Sequence, residues 1–184
     1  MRAEYSIWLL PAAVQESRLA SSVSRLSSEL GGAVFAPHLT IQGDLALPLE
    51  ELGGLIAGLA ARVDVQRWPV LDVENSAHFF RCLYLRFARS PGFEMLQDAV
   101  QELSKSADGR SPFPHLSLAY GDAGPAHIQA RAELAREFMA QEIVFDRLSI
   151  CRSSKYVPIA DWQNLALYPL RQPDQDRDPH RCKP

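Results

Sequence analysis

From Tyr5 to Leu10 the chain alternates, with Tyr5, Ile7 and Leu9 on one side and Ser6, Trp8 and Leu10 on the other, the two-residue period of a strand. The period then lengthens. Leu19, Val23, Leu26 and Leu30 recur at helical spacing between about Glu16 and Leu30, and Gly31-Gly32 ends the helix. A strand is predicted over Val34 to Gln42. Pro48 opens a second helix with Leu52, Leu55, Ile56 and Leu59 as its buried stripe, and a strand follows at about Val70 to Glu74. Phe79 to Phe87 reads as the next strand. Ser90-Pro91 caps a helix that turns Phe93, Leu96, Val100 and Leu103 to one side. Ser104 to Pro114, rich in Ser, Gly, Asp and Pro, reads as a loop, and one able to act as a lid. A strand at His115 to Tyr120, a helix from Gly124-Pro125 to about Gln141, and strands at Ile143 to Arg152 and Asn164 to Tyr168 complete the pattern.

The order strand, helix, strand, helix, strand thus occurs twice, with one strand left over. This predicts an α+β protein of two pseudo-symmetric lobes, each an antiparallel sheet with outer helices, facing a central cleft. The bilobal unit is expected over residues 1–171, its roughly interleaved halves being 1–77 and 78–171. Residues 172–184 hold almost nothing apolar and are expected to be a disordered tail.

Composition narrows the function. The 184 residues carry 19 Lys plus Arg against 22 Asp plus Glu, a net charge of −3. That balance argues against an extended nucleic-acid surface but leaves room for a small phosphate-bearing ligand. No stretch approaches the roughly 20 apolar residues of a membrane span. Cys82, Cys151 and Cys182 are far apart and odd in number, which suits neither a disulfide framework nor a zinc knuckle. A cytoplasmic monomer is the expectation.

One short motif stands at the same place in both halves: Pro37-His38-Leu39-Thr40-Ile41 and Pro114-His115-Leu116-Ser117-Leu118, with the histidines 77 positions apart. On a strand, His38 and Thr40 share one face while Leu39 and Ile41 share the other, and the second copy repeats this. Each Pro belongs at a strand start. Brought together, two imidazoles and two hydroxyls suit attack on a phosphate ester. A neutral His takes a proton from water, a protonated His gives one to the leaving oxygen, and Thr40 and Ser117 donate to the non-bridging oxygens. No metal or other cofactor is called for, since neither motif has a third ligand beside it.

With these residues the chain resembles the 2H phosphoesterases, named for two His-x-Thr/Ser motifs on a duplicated bilobal fold, and within them the cyclic phosphodiesterase branch. The likeness runs through Tyr5-Ser6-Ile7-Trp8, Leu10-Pro11, Phe35-Ala36-Pro37-His38-Leu39-Thr40, Phe79-Phe80-Arg81-Cys82-Leu83-Tyr84-Leu85 and Pro114-His115-Leu116-Ser117-Leu118-Ala119-Tyr120-Gly121, and spans about Tyr5 to Tyr168. It implies metal-independent hydrolysis of a ribose cyclic phosphodiester, either ADP-ribose 1'',2''-cyclic phosphate or a nucleoside 2',3'-cyclic phosphate. His38 and His115 become the acid–base pair, Thr40 and Ser117 the phosphate contacts. Tyr120 becomes a further phosphate contact, which strict alternation allows only if the strand bulges or ends near Ala119.

Trp8 and Phe80 are candidates to stack on the substrate, with core packing as the alternative for each. His78 and His127 are read as solvated, and Arg110 as an exposed loop residue, with help in neutralising a phosphate as its alternative. Two other functions stay open: processing or ligation of RNA 2'-5' ends, and binding of a nucleotide or sugar phosphate without turnover.

Overall fold

The computed structural model describes residues 4–172. Four helices and seven strands alternate in the expected order: β1 (Tyr5–Pro11), α1 (Ala13–Leu30), β2 (Leu39–Leu45), α2 (Leu49–Ala60), β3 (Gln66–Asn75), β4 (Leu83–Phe87), α3 (Pro91–Ser104), β5 (His115–Ala119), α4 (Pro125–Phe138), β6 (Glu142–Arg152) and β7 (Gln163–Pro169). Local chemistry sets several boundaries. Gly31 takes the left-handed conformation, φ 77°, and closes α1 through its N–H to the Ser27 carbonyl. The Ser90 hydroxyl accepts the Phe93 N–H at 3.2 Å and caps α3, with Pro91 in its first turn.

Three sequence expectations need correction. The strand predicted from Val34 begins only at Leu39, because Pro37 has no N–H to give a ladder. The strand predicted from Phe79 starts at Leu83; Phe79–Arg81 instead forms a 3-10 turn, closed by the Arg81 N–H on the His78 carbonyl at 2.8 Å and the Ser76 hydroxyl on the Arg81 carbonyl at 2.6 Å. His127, expected in solvent, is buried in the first turn of α4, where its Nδ1 accepts the Gly124 N–H at 3.0 Å. The expected disordered tail lies outside the described residues from position 173 onward.

All seven strands belong to one connected sheet in the order β1-β2-β5-β4-β3-β6-β7, and every pairing between them is antiparallel. A further β1–β6 pairing runs from Tyr5↔Arg152 to Pro11↔Phe145. The halves of the chain therefore mix: β1, from the first half, lies between β2 and β6, while β3 joins β4. One core fills the space between sheet and helices, with Phe87, Phe93, Phe138 and Phe145 fully buried beside Ile7, Leu9, Leu39, Ile41 and Leu116. Burying side chains of this size contributes about 1.5–3 kcal/mol each. A smaller cluster of Trp8, Leu10 and Cys151 lies apart from it. Among the described residues no helix is long and apolar enough to cross a membrane.

Candidate active site

The strands β2 and β5 meet at a single register pair, Leu39↔Leu116, which are the central residues of the two motifs. In an antiparallel pair this sets His38 opposite Ser117 and Thr40 opposite His115. Since alternate residues share a face, all four project away from the side on which Leu39 and Leu116 enter the core. The same face continues outward through Trp8, paired with Thr40, and through Tyr84 and Arg86, paired with Ser117 and His115. A cavity of about 520 Å³ opens over this face, and His38, Thr40, His115, Ser117, Trp8, Phe80 and Tyr120 all line it.

Both histidines are aimed by the same local device. The His38 Nδ1–H donates to the Ala36 carbonyl at 2.6 Å, and the His115 Nδ1–H to the Phe113 carbonyl at 2.9 Å. Each acceptor is the residue before the motif proline, which holds its predecessor extended and so orients that carbonyl. Fixing the proton on Nδ1 leaves Nε2 as the basic nitrogen of each ring. Ser111 Oγ lies a further 3.2 Å from the His115 Nδ1. Both rings are buried, and burial pulls the pKa of each down to about 4 against the rise that the carbonyl bond brings. His38 is lowered further by His115, and His115 by Arg81, Arg86 and His78. With no anion beside them, both imidazoles are therefore neutral at pH 7.

The hydroxyls differ. Ser117 donates to the Phe80 carbonyl at 2.9 Å, whereas the half-buried Thr40 hydroxyl has no partner among the described residues. The Tyr120 hydroxyl stands 3.4 Å from the His38 Nε2 and its ring stacks on Phe35 at 3.8 Å. Burial holds its pKa far above the usual phenol range. Tyr120 reaches this side because Leu83 pairs with Ala119 while Tyr84 pairs with Ser117; Leu118 is the extra residue of a bulge, and β5 ends one residue before Tyr120. Trp8 is 2% exposed and stacks flat on His38, with ring centroids 3.6 Å apart and 9° between planes. It both packs and lines the cavity. Phe80 reaches the cavity from the 3-10 turn rather than from a strand, edge-on to Tyr120 at 5.4 Å.

Several lining residues escape the sequence reading. Trp162, from the turn before β7, lies within about 6 Å of the Trp8, Phe80 and Tyr120 rings and donates its Nε1–H to the Val157 carbonyl. Ser6, Arg81, Ser153, Ser154 and Lys155 also line the wall, and so does the exposed His78. No motif marks them, since folding alone brings them in; only the placement of Ser6 beside Trp8 on the alternating first strand was a signal. Arg110 lines the cavity too, tied to Asp98 at 3.1 Å and to Gln101.

The loop from Ser104 to Pro114 is a fixed wall rather than a lid. The Gln42 side-chain amide donates to the carbonyls of Ser106 and Asp108, and the Gly43 N–H donates to the Gly109 carbonyl at 2.8 Å. Gly109, at φ 71°, lies so close to Gly43 that a Cβ there would fall 2.1 Å from the Gly43 oxygen.

Comparison with known proteins bears on this geometry. No protein-family model matches the chain. A cyclic phosphodiesterase from Arabidopsis thaliana is 22% identical over 168 residues, covering 89% of this chain and 93% of that protein. The chain is thus similar in sequence to a cyclic phosphodiesterase along nearly its whole length. Its fold is shared with TT0787 of Thermus thermophilus, at TM-score 0.60, 16% identity and coverage of 94% and 99%. It is shared likewise with Escherichia coli LigT, solved in complex with 3'-AMP, at TM-score 0.59, 14% identity and coverage of 94% and 100%. The mixed α+β architecture with its antiparallel sheet is thus shared with these solved structures.

Proposed function

We propose that this chain is a 2H phosphoesterase, and within that family a cyclic phosphodiesterase that opens a ribose cyclic phosphate, ADP-ribose 1'',2''-cyclic phosphate or a nucleoside 2',3'-cyclic phosphate, to the phosphomonoester. The observation that carries the reading is the Leu39↔Leu116 register, which sets both His and hydroxyl pairs on one face under one cavity. The Arabidopsis relative named cyclic phosphodiesterase and the LigT complexes with 3'-AMP and phosphate support the same substrate chemistry.

The reaction needs an in-line displacement, with the attacking water on one side of phosphorus and the departing ribose oxygen on the other. Two imidazoles whose basic nitrogens are both Nε2, that of His38 beside the Tyr120 hydroxyl, meet that need. One neutral ring takes the water proton; the other carries a proton to the leaving oxygen. Neutral histidines suit the base. The acid acquires its proton when the phosphate anion enters, because a negative charge beside a buried imidazole raises its pKa. The Thr40 hydroxyl, not engaged by the protein itself, is ready to donate to a phosphate oxygen. Ser117 can turn from the Phe80 carbonyl to do the same, and the Tyr120 hydroxyl can serve the substrate from beside His38.

The test is incubation of the purified protein, in the presence of chelator, with a panel of cyclic phosphates followed by phosphorus resonances. The expected result is a phosphomonoester of single regiochemistry from at least one substrate, with a bell-shaped dependence on pH. An unchanged panel after long incubation, with a nucleotide bound and the protein stabilised, overturns the enzymatic reading in favour of a binder.

A further inference from the structure

Three permanent cations line the cavity, and two of them are already matched. Arg110 is held by Asp98 at 3.1 Å with Gln97 and Gln101 beside it, and Lys155 by Asp44 at 3.4 Å. The third, Arg81, is half-buried and has neither an acidic partner nor a side-chain hydrogen bond among the described residues. Its guanidinium carbon rests 5.3 Å from the centroid of Phe113, the ring next to His115. Arg86 lies against the same ring at 3.8 Å, but Glu74 answers its charge at 3.3 Å. A partly desolvated guanidinium with no counter-charge is costly to the protein on its own, and an anion entering the cavity relieves that cost.

We propose that Arg81 is a phosphate-holding residue, supplying the positive charge that a phosphate oxygen meets on the second-motif side of the cavity. The proposal rests on the reading of this cavity as a phosphoester site and deepens it. The other candidate contacts, Thr40, Ser117 and Tyr120, are neutral donors, and both imidazoles are neutral before substrate binds. A cyclic phosphodiester is an anion, and its phosphorus oxygens gain charge as the ring opens; a planar guanidinium can meet two such oxygens at once. The turn that carries Arg81 is also built into the site. The Phe80 carbonyl just before it accepts from Ser117, and the Ser76 hydroxyl fixes the Arg81 carbonyl from the other side. The backbone that carries Arg81 and the second motif are therefore joined directly.

The charged and titratable groups around His115 are His78 and Arg81 from the turn, Tyr84 and Arg86 from β4, Glu74 from β3, and His38 across the cavity. Arg81 is one of the cations that hold His115 neutral, behind burial itself. Its removal should therefore raise the His115 pKa without a fall in Tm, the pair of readouts that separates a lost charge from lost packing.

The experiment compares the full-length wild type with Arg81→Gln and Arg81→Lys. Adenosine 3'-monophosphate and inorganic phosphate are the calorimetric probes, and His115 is titrated by NMR. Expected are a loss of at least about tenfold in affinity for both probes in Arg81→Gln, partial recovery in Arg81→Lys, a Tm no lower than that of the wild type, and a higher His115 pKa in the glutamine variant. Equal affinity of wild type and Arg81→Gln for both probes overturns the proposal while leaving the phosphoesterase reading intact. A loss of affinity that follows a fall in Tm, and that lysine does not rescue, also overturns it. Failure of the wild type to bind either probe removes the phosphate-site reading, and the proposal with it.

Discussion

The two motifs are aimed alike but housed differently. Each histidine is locked by the carbonyl two residues upstream, across a proline. Around His38, however, the neighbours are rings: Trp8 flat against it, Phe35 and Trp162 edge-on at 6.1 Å and 6.2 Å, and the Tyr120 hydroxyl at its Nε2. Around His115 they include charges, with Arg81 and Arg86 flanking Phe113. Where a ring nitrogen points is thus settled by three residues of sequence. What state of protonation it favours is settled by side chains from other strands and turns. Guanidinium groups resist an imidazolium; Arg81 and Arg86 act on His115 in this way and are not among the groups that lower His38.

Four predictions break or sharpen this contrast. The largest effect falls on the shared part. His38→Ala and His115→Ala should each lower kcat/KM on a 2',3'-cyclic nucleotide by about 10²–10⁴-fold, and equal activity of the double variant and the wild type would falsify the paired mechanism.

Next is Trp8→Ala. Loss of a fully buried tryptophan should cost about 3–5 kcal/mol in denaturant unfolding. By opening the His38 ring to water it should also raise the pKa of His38 and leave that of His115 where it is, which NMR titration of the two rings would check.

The third concerns pH. Both histidines have folded pKa values near 4, below the 6.5 of the unfolded chain, so the unfolded state binds more protons between those values. Their contribution to stability should be complete above about pH 6.5 and be lost as pH falls through 4. His38→Gln should flatten part of that slope in a Tm-against-pH series; a slope identical to wild type would show that His38 is not held neutral.

The smallest effect separates the hydroxyls. Ser117→Ala breaks a buried bond to the Phe80 carbonyl and should cost about 1 kcal/mol of stability along with activity. Thr40→Ala, with no bond to break, should lose activity while its unfolding midpoint stays close to wild type.

The sequence pattern made the helices and most strands legible because their periods of 3.6 and 2 are local properties. Leu19, Val23 and Leu26 are buried as their spacing requires, and Gly31 ends α1 where its freedom at positive φ is used. The motif quartet was legible for a similar reason: two matching strands that pair centre to centre must present matching faces. The turn at Phe79–Arg81 was not, because its closing bonds come from Ser76 and His78 rather than from a hydrophobic repeat. Trp162 and Arg81 were invisible as site residues, since nothing in their neighbourhoods records the approach of distant strands. The burial of His127 was missed because its role is to cap a helix that begins with Gly124-Pro125, a position where the usual capping residues are missing.

The pairing of Leu39 with Leu116 has a last consequence. A slip of β2 by one residue against β5 would turn His38 and Thr40 into the hydrophobic interior and thrust Leu39 and Ile41 toward water. Misalignment would therefore be punished by instability before it could appear as faulty chemistry. Folding in effect proofreads this arrangement, and copies that reach the native register carry both motif histidines and both hydroxyls on one face.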